Sequence, residues 1–172
     1  NFQLSGGMSQ RALTAMGSAL NPQWIIADEP TKGLDAVIRK QVYQVFKDLK
    51  EEQGVSMLLI THDLMLASRL CDEIIVMYAG KILEKGTSDK VFNNPMHPYT
   101  QGLIDAQPSK KLVPLEGIAP SLTNLPTGCR FHPRCKYAKE VCRFEEPQIY
   151  TVKGSKVRCY LYDKDSGLKE GI

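Results

Sequence analysis

Three short polar groups and one set of cysteines carry the chemistry that this sequence offers. Ser5-Gly6-Gly7 stands at the start of a run with helical spacing. A serine hydroxyl, unobstructed backbone N–H groups and the positive end of a helix would converge there on one anion. The same residues also describe a serine N-cap with glycines supplying a loop. Asp28-Glu29 follows the apolar run Trp24 to Ala27. Adjacent carboxylates at a strand end suit phosphoryl transfer to water, one holding Mg²⁺ and its neighbour polarising the attacking water. A plain strand-to-turn junction would look alike. His62 closes the next apolar run, where it could donate to a phosphate oxygen or be merely structural.

The cysteines form a different kind of group. Cys129, Cys135, Cys142 and Cys159 are spaced C-x₅-C-x₆-C-x₁₆-C, whereas Cys71 sits alone on an apolar helical pattern and reads as a core residue. A reducing compartment leaves little use for two structural disulfides, so one metal centre is the better expectation. Zinc ribbons usually show C-x₂₋₄-C knuckles, which are absent here, and this tilts the choice towards an iron-sulfur cluster with Zn²⁺ as the alternative. Free or disulfide-bonded thiols are the plainer account. The segment from Cys129 to Tyr160 carries a net charge of +5, which could offset the charge of four thiolates around either metal.

The elements that must position these groups are legible from period and punctuation. Met8, Ala12, Ala15, Met16 and Ala19 mark a helical face that ends at Asn21-Pro22. Trp24 to Ala27 and Val55 to Ile60 read as buried strands. Between them Asp35 caps a helix whose face carries Ile38, Val42, Val45, Phe46 and Leu49, with Gly54 as its stop. Asp63 caps a short helix through Leu70. Glu73 to Tyr78 and Lys81 to Glu84 then read as strands joined tightly at Ala79-Gly80. Strands alternating with helices predict an α/β fold with a largely parallel sheet, and ligands bind such sheets at strand ends. Four prolines between Pro108 and Pro126 predict an extended linker.

Taken in order, Leu4-Ser5-Gly6-Gly7-Met8-Ser9-Gln10-Arg11, Ile25-Ile26-Ala27-Asp28-Glu29-Pro30-Thr31, Gly33-Leu34-Asp35 and Thr61-His62-Asp63 strongly resemble the ABC-transporter ATPase family. The resemblance implies a partial P-loop NTPase (ABC ATPase) sheet with helices. It identifies Ser5, Gly6 and Gly7 as the signature loop, Asp28 and Glu29 as the Walker B pair, Asp35 as the D-loop aspartate and His62 as the switch histidine. ATP is then the substrate. Ser5, Gly6, Gly7, Gln10 and Asp35 are the expected ATP contacts, Asp28 the Mg²⁺ ligand, and Glu29 and His62 the catalytic pair. In that family two ATPase subunits pack head to tail, each signature loop capping the nucleotide of its partner. A helix N-terminus without a lysine or metal ligand of its own agrees with that arrangement.

Two departures accompany the match. No G-x-x-x-x-G-K-[ST] occurs, since the only Gly-Lys, Gly80-Lys81, has Ile75 and Ile82 where Gly and Ser/Thr are required. The phosphate loop and Gln loop are therefore expected upstream of Asn1, and these residues alone are expected to be inactive. Lys32-Gly33 also stands where peptide importers would have Thr-Ala.

Beyond Gly86, Asn94-Pro95-Met96-His97-Pro98-Tyr99-Thr100 and Leu125 to Cys135 resemble the C-terminal extension of oligopeptide and dipeptide importer ATPases. Nickel importers share parts of the pattern. Some peptide-importer ATPases carry a four-iron four-sulfur cluster in this extension, which the resemblance implies for the four cysteines. His97-Pro98-Tyr99 itself reads as a helix entrance in which proline presets the first turn and Tyr99 packs. The expected organisation is ATPase at 1–107, linker at 108–126, a small cysteine-rich C-terminal extension at 127–162 and a polar tail at 163–172. Expected partners are a second ATPase subunit, transmembrane permease subunits and, through the complex, an extracytoplasmic peptide-binding protein. The expected place is the cytoplasmic face of the membrane, peripherally bound. No apolar run approaches the roughly 20 residues that cross a bilayer. A formal net charge of +3 gives no reason to expect nucleic acid. An ABC ATPase acting on DNA or ribosomes would favour strongly basic arms or a coiled-coil insertion, which this sequence lacks, and a cysteine-rich regulatory module on an ATPase remnant is the remaining alternative.

Overall fold

The computed structural model describes residues 6–108 and 110–163, without the side chains of residues 6, 7 and 9–11. Two compact units divide the chain, Asn1–Cys71 and Asp72–Ile172. The expected boundary after residue 107 thus falls inside the second unit.

In the first unit α1 (Gly6–Ser18) leads into β1 (Trp24–Asp28), then α2 (Ala36–Glu51), β2 (Ser56–Ile60) and α3 (Leu64–Leu70). Asp35 caps α2 by accepting from the Ile38 N–H at 2.9 Å, and Asp63 caps α3 by accepting from the Leu66 N–H at 3.0 Å. Gly54 takes a φ of +66° after α2, a conformation that costs glycine least. β1 and β2 pair in parallel from Trp24↔Ser56 to Asp28↔Ile60. One face of this ribbon, Ile25, Ala27, Met57 and Leu59, packs with Val42, Phe46 and Leu49 of α2 and with Leu66 and Leu70 of α3. Cys71 packs against the same cluster.

The second unit is built on an antiparallel sheet of order β3-β4-β6-β5. β3 (Glu73–Tyr78) and β4 (Lys81–Thr87) are joined by Ala79-Gly80, both at positive φ, the geometry of a tight hairpin turn. Two short helices follow, α4 (Ser88–Asn93) and α5 (Pro98–Asp105). After a stretch whose described residues form one short 3₁₀ helix, His132–Arg134, come α6 (Val141–Phe144), β5 (Tyr150–Val152) and β6 (Ser155–Val157). β6 pairs with β4 through Glu84↔Val157 and Lys85↔Lys156. Sequence period does not reveal this join, because each of the last two strands has only three residues. The expected parallel sheet is therefore found only in the first unit, and the second is antiparallel.

Between β3 and β4 the register passes from Val76↔Glu84 to Met77↔Ile82. Leu83 is the extra residue of a β-bulge, which re-aims neighbouring side chains and lets two consecutive residues, Leu83 and Glu84, both be buried. The core of this unit gathers Tyr78, Leu83, Phe131, Tyr160, Cys129 and Cys142. Its aromatic centre is close-packed, with Tyr78 and Tyr99 ring centroids 4.7 Å apart and Phe131 edge-on to Tyr78 at 5.4 Å.

Candidate functional site

Two separate sites emerge, one in each unit. At the C-terminal end of the parallel pair the Glu29 N–H donates to the Ile60 carbonyl at 2.8 Å, carrying the β1–β2 ladder one residue beyond Asp28. Glu29 adopts a φ of +47°, uncommon for a residue with a side chain and a form of strain found at functional positions. Its Oε2 lies 2.7 Å from His62 Nδ1. That oxygen is buried and the approach lacks the angle of a hydrogen bond, so the carboxylate is not fully engaged. The His62 side chain is 78% exposed and open to a ligand. Asp28 is exposed beside them, a position open to a metal ion.

Pairing in parallel is what brings Glu29 and His62 together, since aligned strands end side by side. Thr61 Oγ1 accepts from the Asp63 N–H at 3.0 Å, which shapes the turn on which His62 sits. Asp35 is engaged in capping α2, a local role beside any contact with nucleotide. Gly6 and Gly7 are the first two residues of α1. Ser5 and the Gln10 side chain lie outside the described residues, as do residues 164–172 of the expected tail.

In the second unit Cys129, Cys135, Cys142 and Cys159 all line one cavity of about 10 Å³, together with His97 and Phe131. Convergence comes from backbone contacts far apart in sequence. The Cys129 N–H donates to the Cys142 carbonyl at 2.9 Å, and Gly128, at a φ of +66°, permits that approach. A Cβ on Gly128 would sit 2.5 Å from the same carbonyl oxygen. The Arg158 N–H donates to the Leu83 carbonyl at 2.8 Å, which places Cys159.

Backbone N–H groups point at the sulfurs. Lys139 donates to Cys142 Sγ at 3.4 Å. Phe131 and His132 donate to Cys129, Tyr137 to Cys135 and Leu161 to Cys159. Burial, reinforced by the neighbouring cysteines, pushes the Cys129 and Cys135 thiols up and that of Cys159 up to about 12. A space of 10 Å³ is about the least that holds one water. Among the described residues no group of three or more His, Cys, Asp or Glu side chains is placed to hold a metal ion. The expectation of a metal centre thus meets a convergent donor set that is not arranged around an ion.

Sequence reasoning missed Glu84 and undervalued His97. Glu84 Oε1 and Oε2 accept from the backbone N–H groups of Met96 and His97 at 2.8 and 2.9 Å. His97 Nδ1 accepts from the Tyr99 N–H at 3.0 Å and so caps α5, with Pro98 at its first turn as expected. Burial lowers the His97 pKa to about 4, which keeps the ring neutral, and a hydrogen bond to the Arg158 backbone opposes that shift. The one local signal for an inward-facing group is Glu84 directly after the apolar pair Ile82-Leu83.

No helix among the described residues is long and apolar enough to cross a membrane. The family model described as the C-terminal region of oligopeptide/dipeptide transporters matches residues 83–142. The dipeptide transport ATP-binding protein DppD of Haemophilus influenzae is 45% identical over 163 residues, covering 92% of this chain and 49% of that protein. The oligopeptide transport ATP-binding protein AppD of Bacillus subtilis is 45% identical over 169 residues, covering 95% and 52%. A solved dimeric bacterial ABC transporter cassette is 37% identical, covering 50% of this chain and 37% of its own, with a TM-score of 0.46. The chain spans about half the length of the curated relatives it matches. With most of its residues aligned at this identity, the chain belongs to the family of dipeptide and oligopeptide ABC transport ATP-binding proteins.

Proposed function

We propose that this chain is part of the ATP-hydrolysing subunit of an ABC importer that drives uptake of dipeptides or oligopeptides. The observation that carries this reading is the meeting of Glu29 and His62, 2.7 Å apart, at the ends of two parallel strands. Glu29 takes the proton of the attacking water as general base. His62, beside Glu29, donates towards the phosphate, Asp28 would hold Mg²⁺ through its carboxylate, and Asp35 belongs to the loop between subunits. Ser5, Gly6, Gly7 and Gln10 cap the ATP bound by a second subunit, with the N-terminus of α1 offering its positive end to the phosphates. Mg²⁺ held by Asp28 would supply positive charge against that developing on the phosphate.

The full complex then pairs two ATPase subunits with transmembrane permeases at the cytoplasmic face of the membrane and takes peptide from an extracytoplasmic binding protein. In the full-length protein Glu29→Gln keeps the shape of the side chain but cannot accept the proton. ATP binding is retained while hydrolysis and peptide uptake fall together. Undiminished hydrolysis would remove Glu29 from the role.

The four cysteines we assign to a four-iron four-sulfur cluster within the segment 127–162, with Zn²⁺ as the competing occupant. Four thiols in one cavity, each met by a backbone N–H, have the donor chemistry of such a site. The spacings lack a C-x₂₋₄-C knuckle, which favours the cluster over Zn²⁺. When bound, the group supplies a covalent staple for a small unit and a redox-active centre. Iron, sulfide and zinc analysis of anaerobically purified full-length protein tests the assignment, and a folded, reduced, metal-free protein rejects it.

A further inference from the structure

We propose that Glu84 and His97 are positioning residues for the Cys159 limb of the four-cysteine cavity, a role that rests on the proposed metal centre for its purpose. Glu84 is fully buried at the β4 bulge, and both of its oxygens are used by backbone N–H groups of Met96 and His97. A buried carboxylate so engaged fixes that backbone rather than a side chain. From this anchor two bonds reach the C-terminal limb. Tyr162 donates its hydroxyl to the Met96 carbonyl at 2.8 Å, and the His97 ring bonds the backbone of Arg158.

The tautomer makes the second bond specific. Because Nδ1 accepts from Tyr99, the proton of the neutral ring resides on Nε2, which donates to the Arg158 carbonyl. Cys159 thus lies between two residues, Arg158 and Tyr162, that are tied to the Met96-His97 backbone. His97 lines the cavity beside Cys159 and is only 1% exposed. Its ring also lies 5.7 Å from that of Phe131, which is buried between Cys129 and Cys135 in sequence. The His-Pro-Tyr segment is in this way more than a helix entrance, since it couples the cap of α5 to the last cysteine.

Two substitutions separate these roles in the full-length protein. His97→Asn places an acceptor near Nδ1 and keeps the cap, but loses the donor to Arg158. His97→Gln places a donor near Nε2 and loses the cap. In reduced, metal-free protein, alkylation of each cysteine by iodoacetamide is followed by mass spectrometry. Cys159 should react about tenfold faster in His97→Asn, the factor of one buried hydrogen bond, and within about twofold of wild type in His97→Gln. Cys129 should not change in either. An unchanged Cys159 rate, an equal rise at Cys129, or a larger rise in His97→Gln overturns the proposal. Reconstitution with ferrous iron and sulfide provides the second readout, with His97→Asn binding less of both than His97→Gln. Wild-type protein that binds neither removes the metal centre, and the alkylation rates still decide the positioning role.

Discussion

The two units bury their sheets differently. In the first, the ribbon face opposite the helices leaves Trp24 65%, Ile26 68%, Leu58 45% and Ile60 48% exposed, while the other face is packed. In the second, β3 likewise leaves Ile75 49% and Met77 57% exposed, while Leu83 is 2% and Val157 0% exposed on the inner face and the cysteine cavity is lined by residues of that unit alone. The inner face of the first unit packs on helices, whereas that of the second closes around the cysteines.

The sharpest break between them concerns turnover. Residues 1–172 alone contain no glycine cradle with its lysine, so they should hydrolyse no ATP above the Glu29→Gln background in a phosphate-release assay, while the full-length protein should lose about 10²–10⁴-fold on the same substitution. Turnover by the short chain that depends on Glu29 would place a complete site within it.

Stability should divide along the same line. Leu83→Ala should cost about 2–5 kcal/mol in urea unfolding of the second unit, because the cavity it leaves is closed on all sides. Leu58→Ala should cost under about 1 kcal/mol in these 172 residues, its site being already open to water. Equal costs would show that the exposed face is covered.

The buried histidine gives the second unit its own pH response. Its folded pKa of about 4 lies below the ordinary 6.5, so the unfolded chain binds a proton that the folded one refuses. Stability is therefore full above pH 6.5 and falls as pH drops towards 4, by roughly 3 kcal/mol over the window. His97→Gln should remove that part of the slope, as read from urea midpoints at pH 7 and pH 4.5, and an identical slope in the variant would assign it elsewhere. The smallest effect belongs to a cap in the first unit. Asp63→Ala should cost about 1 kcal/mol in thermal unfolding, and no change would show that α3 is held by packing of Leu66 and Leu70 alone.

Much of the first unit was legible because each of its elements declares itself locally. The caps at Asp35 and Asp63, the apolar face of α2 and the runs before Asp28 and His62 depend on period and on nearest neighbours, and each lies within a residue or two of the position expected. That Glu29 and His62 belong to one site also followed from order, since parallel strands finish at the same end.

The second unit resisted because its decisive contacts are long-range. Composition separated the cysteine segment from the strands before it, yet β6 pairs with β4 across about seventy residues. Sequence alone singled out the residue types and their spacing: two carboxylates and a histidine at strand ends, and four cysteines in the last third of the chain. Only the tertiary structure decided that a bulge at Leu83 turns Glu84 inward, that this carboxylate holds the His97 backbone, and that His97 in turn meets the residue before Cys159. The reason is physical. A cap or an amphipathic stripe is encoded within a few positions, whereas a buried polar chain is stable only when distant segments arrive together to satisfy it.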